Sequence, residues 1–421
     1  MRTDSFVKTV IIFLLIYVSD DTIIFGTNSS KSSFLIKITI FIALMLTVII
    51  RIYILNIKIP KRYFELLIII IIMILATAIF NRDIKFGYYY HIFHLTLAFF
   101  VTIYIPLDEM LLKYDKVMFI ITVISIFGYL LEVSNVAFYK NFPVIINISN
   151  NKFYNLLLTT IIAKNMGVPR NYSFFREPGV FQMFLILALI VQLFYFKNMS
   201  IKKVVVYVAA LLTTKSTTGY IALAILLIVY VFKNYDSKKQ LFRKIFILTL
   251  SLISFVYLLL KTDIIISKGT YGSVFGKFIN NYEYRSLYTR VSSVMTNIKI
   301  FLLNPFFGMG SSKVRNLFPT MEYVKMGGYS SSHNTNHVLA QFSTYGFLFG
   351  LLNLVGYYRF SRLIYDDWFI KIGIFIVLNV ILLGENLSAN VMFSMIMFYG
   401  YCPVANKRID NTHFIKNIKE I

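Results

Sequence analysis

Two arginines and a carboxylate stand directly before a long apolar run near the middle of the chain. Arg170, Arg176 and Glu177 belong to the segment 170–182, and the apolar run covers residues 180–196. Charge this close to hydrocarbon is costly and often marks a functional site in membrane proteins. Guanidinium groups bind phosphate through paired hydrogen bonds. The pattern therefore predicts an anion-binding site at a membrane face, with snorkelling of the arginines to lipid headgroups as the alternative.

The residues after Arg176 indicate how a helix begins at this site. Pro178 fits the first helical turn, where its missing N–H is not needed. Glu177 would then lie beside the positive end of the helix dipole. We expect the chain to enter the membrane here, with Arg176 and Glu177 held at its surface.

A second group of basic and aromatic residues comes later in the chain. Arg285, Tyr288 and Arg290 fall in a segment whose pattern fits an amphipathic helix that stops before Pro305. Arginines together with tyrosines suit a phosphorylated, sugar-bearing ligand, because aromatic faces pack on sugar rings. Contact between a basic loop and anionic lipid is the alternative for both arginines.

The composition defines the broad class of the protein. Of 421 residues, 58% are hydrophobic and only 14% are charged, with a mean hydropathy of +0.71. These values lie outside the range of soluble domains, and the apolar residues form runs of membrane-spanning length. We therefore expect an all-α polytopic membrane protein with about twelve spans. The predicted spans are residues 7–24, 34–54, 64–80, 88–105, 117–136, 180–196, 204–214, 217–232, 245–260, 337–357, 368–383 and 387–404.

The basic residues of the short loops give an orientation. Lysines and arginines concentrate in the loops that are cytoplasmic if the N-terminus is inside, which is the positive-inside pattern. The net charge of +23 therefore needs no nucleic-acid partner. The predicted regions are N-terminal spans (1–136), an outer loop (137–178), central spans (179–260), a large outer loop (261–336), and C-terminal spans with a cytoplasmic tail (337–421).

Three separate motifs resemble those of the O-antigen polymerase and ligase superfamily. The first is Arg-Glu-Pro-Gly-Val-Phe-Gln at Arg176, and the second is Thr-Thr-Lys-Ser-Thr-Thr-Gly-Tyr at residues 213–220. The third combines Arg290, the segment Asn-Pro-Phe-Phe-Gly-Met-Gly at residues 304–310, and the pair His333-Asn334. The motifs cover about residues 170–350. Lys215 departs from the uncharged residue usual at that turn.

The resemblance implies a glycosyltransferase-C-like helical scaffold that works without a metal or cofactor. The substrates would be glycans carried on undecaprenyl pyrophosphate, at the periplasmic face of the bacterial inner membrane. Arg176 and Arg290 would bind the pyrophosphate and stabilise the leaving group, which is usually the largest catalytic contribution. His333 would activate the acceptor hydroxyl, with Glu177 and Glu385 as rival bases. The other substrate-binding candidates are Arg170, Arg285, Tyr288, Lys215, Asn334 and Glu385.

Four histidines fall near outer helix ends in this topology. His91 with His94, and His333 with His337, have spacings that put each pair on one helix face. A zinc site could use such pairs. No cysteine or assured carboxylate joins them, so we predict no metal and expect His91 and His94 to form an interfacial polar-aromatic belt.

Two further functions compete with polymerisation of repeat units into O-antigen or capsular polysaccharide. An O-antigen ligase would transfer the same glycan to the lipid A core, and a flippase would move the lipid-linked oligosaccharide across the membrane. Flippases of this kind often have repeated halves and sites near the midplane, whereas the polar residues here cluster at one face. We expect the polymerase, with a chain-length regulator and a flippase as its partners in the membrane.

Overall fold

The computed structural model describes residues 2–134, 137–163, 169–233, 284–321 and 334–402, which are mostly helical. The helices, in chain order, are α1 (Arg2–Tyr17), α2 (Lys31–Ile54), α3 (Lys61–Phe80), α4 (Phe86–Tyr104), α5 (Leu107–Val133), α6 (Pro178–Ile190), α7 (Ile201–Thr214), α8 (Thr217–Lys233), α9 (Tyr284–Leu303), α10 (Ser311–Leu317), α11 (His337–Tyr345), α12 (Phe347–Ile364), α13 (Trp368–Gly384) and α14 (Val391–Tyr401). Short 3₁₀ turns cover Ala137–Asn141 and Phe318–Thr320. A π-helical turn, Val191–Tyr195, extends α6.

Five helices in the described residues are long and apolar enough to cross a membrane. They are α2, α3, α4, α5, and α6 together with its π-helical extension. The shorter helices α8, α13 and α14 are also apolar. The protein therefore has the character of a membrane-embedded helical protein, but the expected count of twelve spans is not confirmed. The predicted span 245–260 and most of the predicted loop 261–336 lie outside the described residues.

Several predicted spans have different boundaries in the structure. For example, α5 begins at Leu107 and not at residue 117. The first helix ends at Tyr17 instead of continuing to residue 24. The predicted span 337–357 is two helices, α11 and α12, which are separated by Gly346. Gly346 has φ +85, and a Cβ there would overlap the backbone of Phe306, so a continuous helix does not fit at this position.

The early end of α1 is explained by two carboxylates that find partners on other helices. Asp20 accepts hydrogen bonds from Lys37 of α2 and from Tyr90 of α4, the latter at 2.9 Å. Asp21 accepts a 2.7 Å hydrogen bond from Asn390. A buried carboxylate is tolerated when it is paired and hydrogen-bonded, so these contacts hold the chain in a loop after Tyr17.

The chain divides into two compact units. The first comprises Met1–Val117, Thr289–Leu363 and Leu382–Arg408, and the second comprises Met118–Tyr288, Ile364–Ile381 and Ile409–Ile421.

In the first unit, α4 is the central helix. It packs against α2, α3 and α14, while α11 packs against α3 and α10. Helices α12 and α14 approach so closely that a Cβ on Gly400 would overlap the backbone of Gly356. Small residues at such crossings permit backbone contact between membrane helices. His94 is 1% exposed and His91 7% exposed, so both lie inside the helix packing and not in the expected interfacial belt.

In the second unit, α6 is the central helix. Every residue from Pro178 to Tyr195 is buried, and α6 packs against both α7 and α8. A helix that is apolar all round is expected to be enclosed by protein or lipid on every side. The start of this helix is therefore fixed in position by the packing of its whole length.

A small antiparallel sheet in the second unit corrects the all-α prediction. It has the order β1 (Val144–Ile146), β2 (Lys152–Asn155) and β3 (Thr160–Ile162), with Ile145 opposite Phe153 and Phe153 opposite Ile162. Strands β1 and β3 consist of consecutive β-branched residues, which favour strands. The sheet occupies the predicted outer loop 137–178.

Candidate functional site

The segment just before the first motif contacts the second motif within the second unit. Arg170 donates from Nε to the carbonyl of Thr214 at 3.0 Å and from Nη2 to the carbonyl of Lys215 at 3.2 Å. These carbonyls close the turn between α7 and α8. A guanidinium that binds two carbonyls at a helix C-terminus also meets the negative end of the helix dipole. Arg170 therefore positions the turn that carries Lys215.

Asn171 adds a second connection between the same segments. Its backbone N–H donates to the Thr213 carbonyl at 3.0 Å, and its side chain donates to Thr213 Oγ1 and to Ser125 Oγ of α5. Asn171 is 3% exposed, and its Oδ1 accepts from the Ser173 amide. A buried amide with these partners is satisfied. The segment before α6 is thus held to both α5 and the α7–α8 turn.

Lys215 occupies a left-handed conformation at the end of α7. Its φ of 51° and ψ of 38° are typical of the C-terminal residue of a helix, a position that favours glycine. Its side chain is partly exposed. The conformation explains how a two-residue connection can reverse the chain between α7 and α8.

Arg176 and Glu177 lie at the start of α6, as expected from the sequence. Glu177 is the residue before the first turn, its backbone is extended, and Pro178 occupies the first turn. The side chain of Glu177 does not cap this helix start. Glu177 is exposed, whereas Pro178 and Gly179 are buried. The start of a helix attracts anions through its N–H groups and its dipole, and Arg176 adds a guanidinium beside it.

In the first unit, Asn334 lies at the centre of a hydrogen-bond network that includes Ser293 and Asn297 of α9. Its Oδ1 accepts from Ser293 Oγ at 3.0 Å and from Asn297 Nδ2 at 2.9 Å. Its Nδ2 donates to Asn297 Oδ1, which also accepts from Ser343 Oγ of α11 at 2.8 Å. Asn297 is completely buried. This network joins α9, Asn334 and α11 through satisfied polar groups, which is the arrangement that fixes a buried polar cluster.

The same helix carries Arg290, one turn before Ser293. Arg290 is partly exposed. The anchoring of Asn334 at Ser293 and Asn297 therefore holds residue 334 within about two turns of Arg290 along one helix. His333 lies outside the described residues, and so do the side chains of Arg285 and Tyr288.

Glu385 lies in a loop of the first unit that meets two histidines. The loop connects α13 to α14, and Glu385 is 7% exposed. Asn386 lies near His337, and the backbone of Ser388 lies near His91. His337 also pairs through Nε2 with Tyr357 at 3.0 Å. The loop is therefore a buried polar region and not an exposed turn.

The third motif docks on the loop between α3 and α4. Asn81 donates to the Gly308 carbonyl, and the N–H groups of Met309 and Gly310 donate to Ser343 and Thr344. At the start of α10, the Ser312 amide donates to Asp83 Oδ2 at 2.9 Å. These contacts close the turn 304–310 against the end of α11.

Hydrogen bonds lower the pKa of the Asp83 carboxyl. Burial raises its pKa, but hydrogen bonds from the Ser312 side chain and amide and from Tyr88 favour the charged form more strongly. The pKa of Asp83 therefore lies below the ordinary 3.8. Asp83 is a stably ionised cap for α10.

Within the described part of the chain, no group of three or more histidine, cysteine or acidic side chains is arranged to hold a metal ion. The arrangement instead offers guanidinium, ammonium and amide groups near helix ends. These groups bind anions and sugar hydroxyls.

Three polar residues whose burial is energetically unfavourable were not predicted from the sequence patterns. Glu132 of α5 is 5% exposed, and its Oε1 has no hydrogen-bond partner among the described residues. Lys37 and Asn297 are buried at the centres of their polar contacts. Charge or amide groups inside runs of membrane-spanning length were the available signal, and Glu132 and Lys37 could have been found by it.

Comparison of the sequence with models of known protein families and with curated proteins found no match.

Proposed function

We propose that this protein is a membrane-embedded glycosyltransferase that takes its glycan from a lipid-linked pyrophosphate. Within that class, we propose a polymerase that joins undecaprenyl-pyrophosphate-linked repeat units into O-antigen or capsular polysaccharide at the periplasmic face of the inner membrane. The proposal rests on the resemblance of the three motifs and on how the motif segments contact one another.

The observation that carries the proposal is the contact between segments that the resemblance groups together. Arg170, just before the first motif, binds the turn at Lys215 of the second motif. Gln182 of the first motif lies beside Gly219 of the second inside one unit. Asn334 is bound to the helix of Arg290, so the two ends of the third motif meet inside the other. Residues about forty positions apart are thus brought together at the polar ends of apolar helices. Such convergence of polar groups is typical of binding sites.

In this reaction an acceptor hydroxyl attacks the anomeric carbon of the donor glycan. The new C–O bond forms as the bond to pyrophosphate breaks, the pyrophosphate leaves with the bonding electrons, and a base takes the hydroxyl proton. Arg176 and Arg290 would stabilise the leaving pyrophosphate, and Lys215 would add positive charge. His333 would take the proton, with Glu177 and Glu385 as rival bases.

The burial of Glu132 adds one more candidate for the base. Its carboxylate lies within electrostatic range of Lys215 and Tyr172. A buried carboxylate oxygen without a hydrogen bond is unfavourable in a purely structural role. Replacement by glutamine keeps the shape and removes the basic oxygen, so Glu132→Gln should abolish polymer without lowering the temperature of unfolding. Normal polymer in this variant would exclude Glu132 as the base.

The alternatives are a ligase that uses the lipid A core as acceptor and a flippase for the lipid-linked oligosaccharide. No segment of the sequence indicates core recognition, which favours the polymerase. The polar groups at helix ends favour chemistry on a pyrophosphate over transport through the midplane.

One deletion strain separates the three functions. Loss of a polymerase should leave surface acceptors that carry single repeat units. Loss of a ligase should leave long polymer on undecaprenyl pyrophosphate with none attached, and loss of a flippase should leave single lipid-linked units on the cytoplasmic side. Surface glycan is resolved on a gel, and the lipid-linked pool is extracted in parallel. A surface ladder of normal length would exclude the polymerase.

A further inference from the structure

Helix α9 turns its polar face inward and an apolar face outward. Ser293, Thr296 and Asn297 are completely buried. On the opposite side, an exposed apolar stripe repeats at helical spacing and comprises Val291 (55% exposed), Met295 (42%), Ile298 (40%) and Leu302 (65%). A helix on the surface of a soluble protein has the reverse arrangement, because its apolar side faces the core. Four large apolar side chains on one open face mark a contact with lipid or with another protein.

The buried polar face of α9 is held by hydrogen bonds. Ser293 Oγ and Asn297 Nδ2 both donate to Asn334 Oδ1, and Ser343 of α11 donates to Asn297 Oδ1. The ring of Phe301 lies next to that of Phe342 of α11, with 5.7 Å between the ring centroids. Because α9 is fixed against α11 on this side, the apolar stripe on the other side has a fixed direction.

The exposed apolar surface continues along the chain to a candidate membrane span. After the stripe, the chain exposes three further large apolar side chains, Leu303, Phe306 and Phe307. The Phe307 ring stacks on Phe80 with 3.9 Å between the ring centroids, and the Phe307 carbonyl accepts a 3.0 Å hydrogen bond from Thr77. Phe80 and Thr77 belong to the last turn of α3, whose exposed face from Ile68 to Ile79 is apolar. Such a face on a membrane span is the one that lipid covers, so α9 begins its exposed surface at the edge of the bilayer.

The charges around the stripe suit an anionic lipid surface. Residues 289–321 contain Arg290, Lys299, Lys313 and Arg315 and no aspartate or glutamate. Lys299, Lys313 and Arg315 are exposed. Lys299 follows Ile298 of the stripe and therefore lies about 100° from it round the helix. Basic residues beside an apolar helix face form the pattern of helices that lie in the lipid headgroup region.

The position of Arg290 decides how α9 lies relative to the bilayer. Arg290 and Leu303 are thirteen residues apart, which corresponds to about 20 Å along a helix. If α9 crossed the bilayer from the Phe80 end of α3, Arg290 would lie near the middle of a hydrocarbon core about 30 Å thick. A guanidinium at that depth is unfavourable. Arg290 stays in the headgroup region if the helix lies along the membrane surface.

We infer that α9 lies in the plane of the membrane at the Phe80 end of α3, with its apolar stripe in contact with acyl chains and Lys299 at lipid phosphates. Helices of this kind bury their apolar face by about 5–10 Å at the boundary between headgroups and acyl chains. The segment that joins α9 to α10 is thereby anchored in one lipid leaflet, and Arg290 is held at the height of the lipid phosphates. This inference does not depend on the proposed enzymatic activity.

The experiment measures the depth of a fluorescent label on the full-length protein in nanodiscs that hold one copy. Cys402 is the only cysteine and is buried, so a Cys402→Ala chain gives the background. Val291→Cys, Leu302→Cys or Lys299→Cys in that background carries an environment-sensitive nitrobenzoxadiazole label. All three positions are exposed, so the unfolding temperature should stay that of the background chain. Met295→Cys replaces a stripe variant that does not fold.

The two stripe labels test the orientation of the helix. Val291 and Leu302 are eleven residues apart, or about 16 Å along the axis. The discs contain phosphatidylethanolamine and phosphatidylglycerol with spin-labelled lipids. We expect both stripe labels to be quenched most strongly, and to the same extent, by a spin label at the headgroup end of the acyl chain. The label at Lys299 is the matched control, and a spin label on the headgroup should quench it most strongly.

Three results would overturn the inference. The first is that lipid spin labels quench neither stripe label while iodide in the water quenches both. The second is that one stripe label lies near the headgroups and the other near the acyl-chain ends, which would make α9 a spanning helix. The third is that neither lipid spin labels nor iodide reach the stripe labels, which would show that protein covers the stripe.

Discussion

Three helix starts of the first unit and the start of α6 in the second unit are closed differently. In the first unit, Asn336 caps α11 through a 2.8 Å hydrogen bond from Leu339, and Asn390 caps α14 through a hydrogen bond from Phe393. Asp83 and Tyr88 cap α10 from a distant loop. In the second unit, α6 begins with buried residues behind Glu177, whose own side chain does not cap the helix.

This difference separates structural from functional polar groups. A helix start that carries a side-chain cap has part of its N–H groups already satisfied. At the start of α6, the Val180 and Phe181 amides donate to the Glu177 carbonyl. Arg176 lies beside the positive end of the helix dipole, which attracts anions. The hydrogen bonds of Arg170 and Asn334 go to other parts of the protein, which agrees with a positioning role for both.

The largest effect is expected from Arg176→Ala. Loss of a charge-assisted contact made mainly in the transition state should cost about 2–4 kcal/mol, or roughly 30- to 1000-fold in rate. Arg176→Lys keeps the charge but loses the paired hydrogen bonds, so it should remain impaired. Polymer made by membranes with equal amounts of each protein gives the measurement. Wild-type polymer from a normally folded Arg176→Ala protein would refute the role of α6 as the phosphate site.

The next effect tests the amide network of the first unit. Asn297→Ala removes the partner of Asn334 and of Ser343 and leaves buried polar groups unsatisfied, so it should lower the free energy of unfolding by about 2–3 kcal/mol. Thermal unfolding in detergent measures this change. Asn316→Ala on exposed α10 is the control and should have little effect. An unchanged free energy of unfolding in the Asn297→Ala protein would mean that the network does not hold Asn334.

Asp83 provides a test through pH. Its pKa is lower in the folded protein than the ordinary 3.8, so its stabilisation is complete above that pH and is lost as the pH falls through the folded-state value. Asp83→Asn should cost about 1.5–3 kcal/mol at neutral pH. The difference in stability between this variant and the natural protein should shrink below pH 3.8. A difference in stability that stays constant with pH would show that the charge of Asp83 does not contribute to it.

The smallest effects compare the two kinds of helix start directly. Asn336→Ala removes a side-chain cap and should lower the free energy of unfolding by about 1 kcal/mol. Glu177→Ala removes no cap and should change it by less than about 0.5 kcal/mol. Thermal unfolding of both variants under one condition is sufficient. Equal losses of unfolding free energy in the two variants would contradict the difference between these two helix starts.

The sequence predicted the long apolar helices well. The predicted spans 34–54, 64–80 and 88–105 correspond to α2, α3 and α4, because a run of that length and hydropathy has few alternatives to a helix. It also predicted the start of α6 at Pro178, where proline and the following apolar run agree. These features depend on local residues only.

Features that depend on distant partners were missed. The end of α1 at Tyr17 follows from contacts of Asp20 and Asp21 with helices far along the chain. The pairing of Asn297 with Asn334 spans 37 residues and leaves no periodic signal. The sheet could have been found, since a run of β-branched residues at 144–146 stands before an asparagine-rich turn.

The crossing of α12 and α14 at Gly356 and Gly400 has a consequence for motion. Backbone touches backbone at this point, so no side chain can change rotamer to absorb a displacement. A wider or narrower separation of the two helices is therefore unfavourable, while rotation about the crossing changes no contact distance there. The glycine pair makes the crossing a pivot, and any rearrangement of α14 against α12 would swing its two ends in opposite directions.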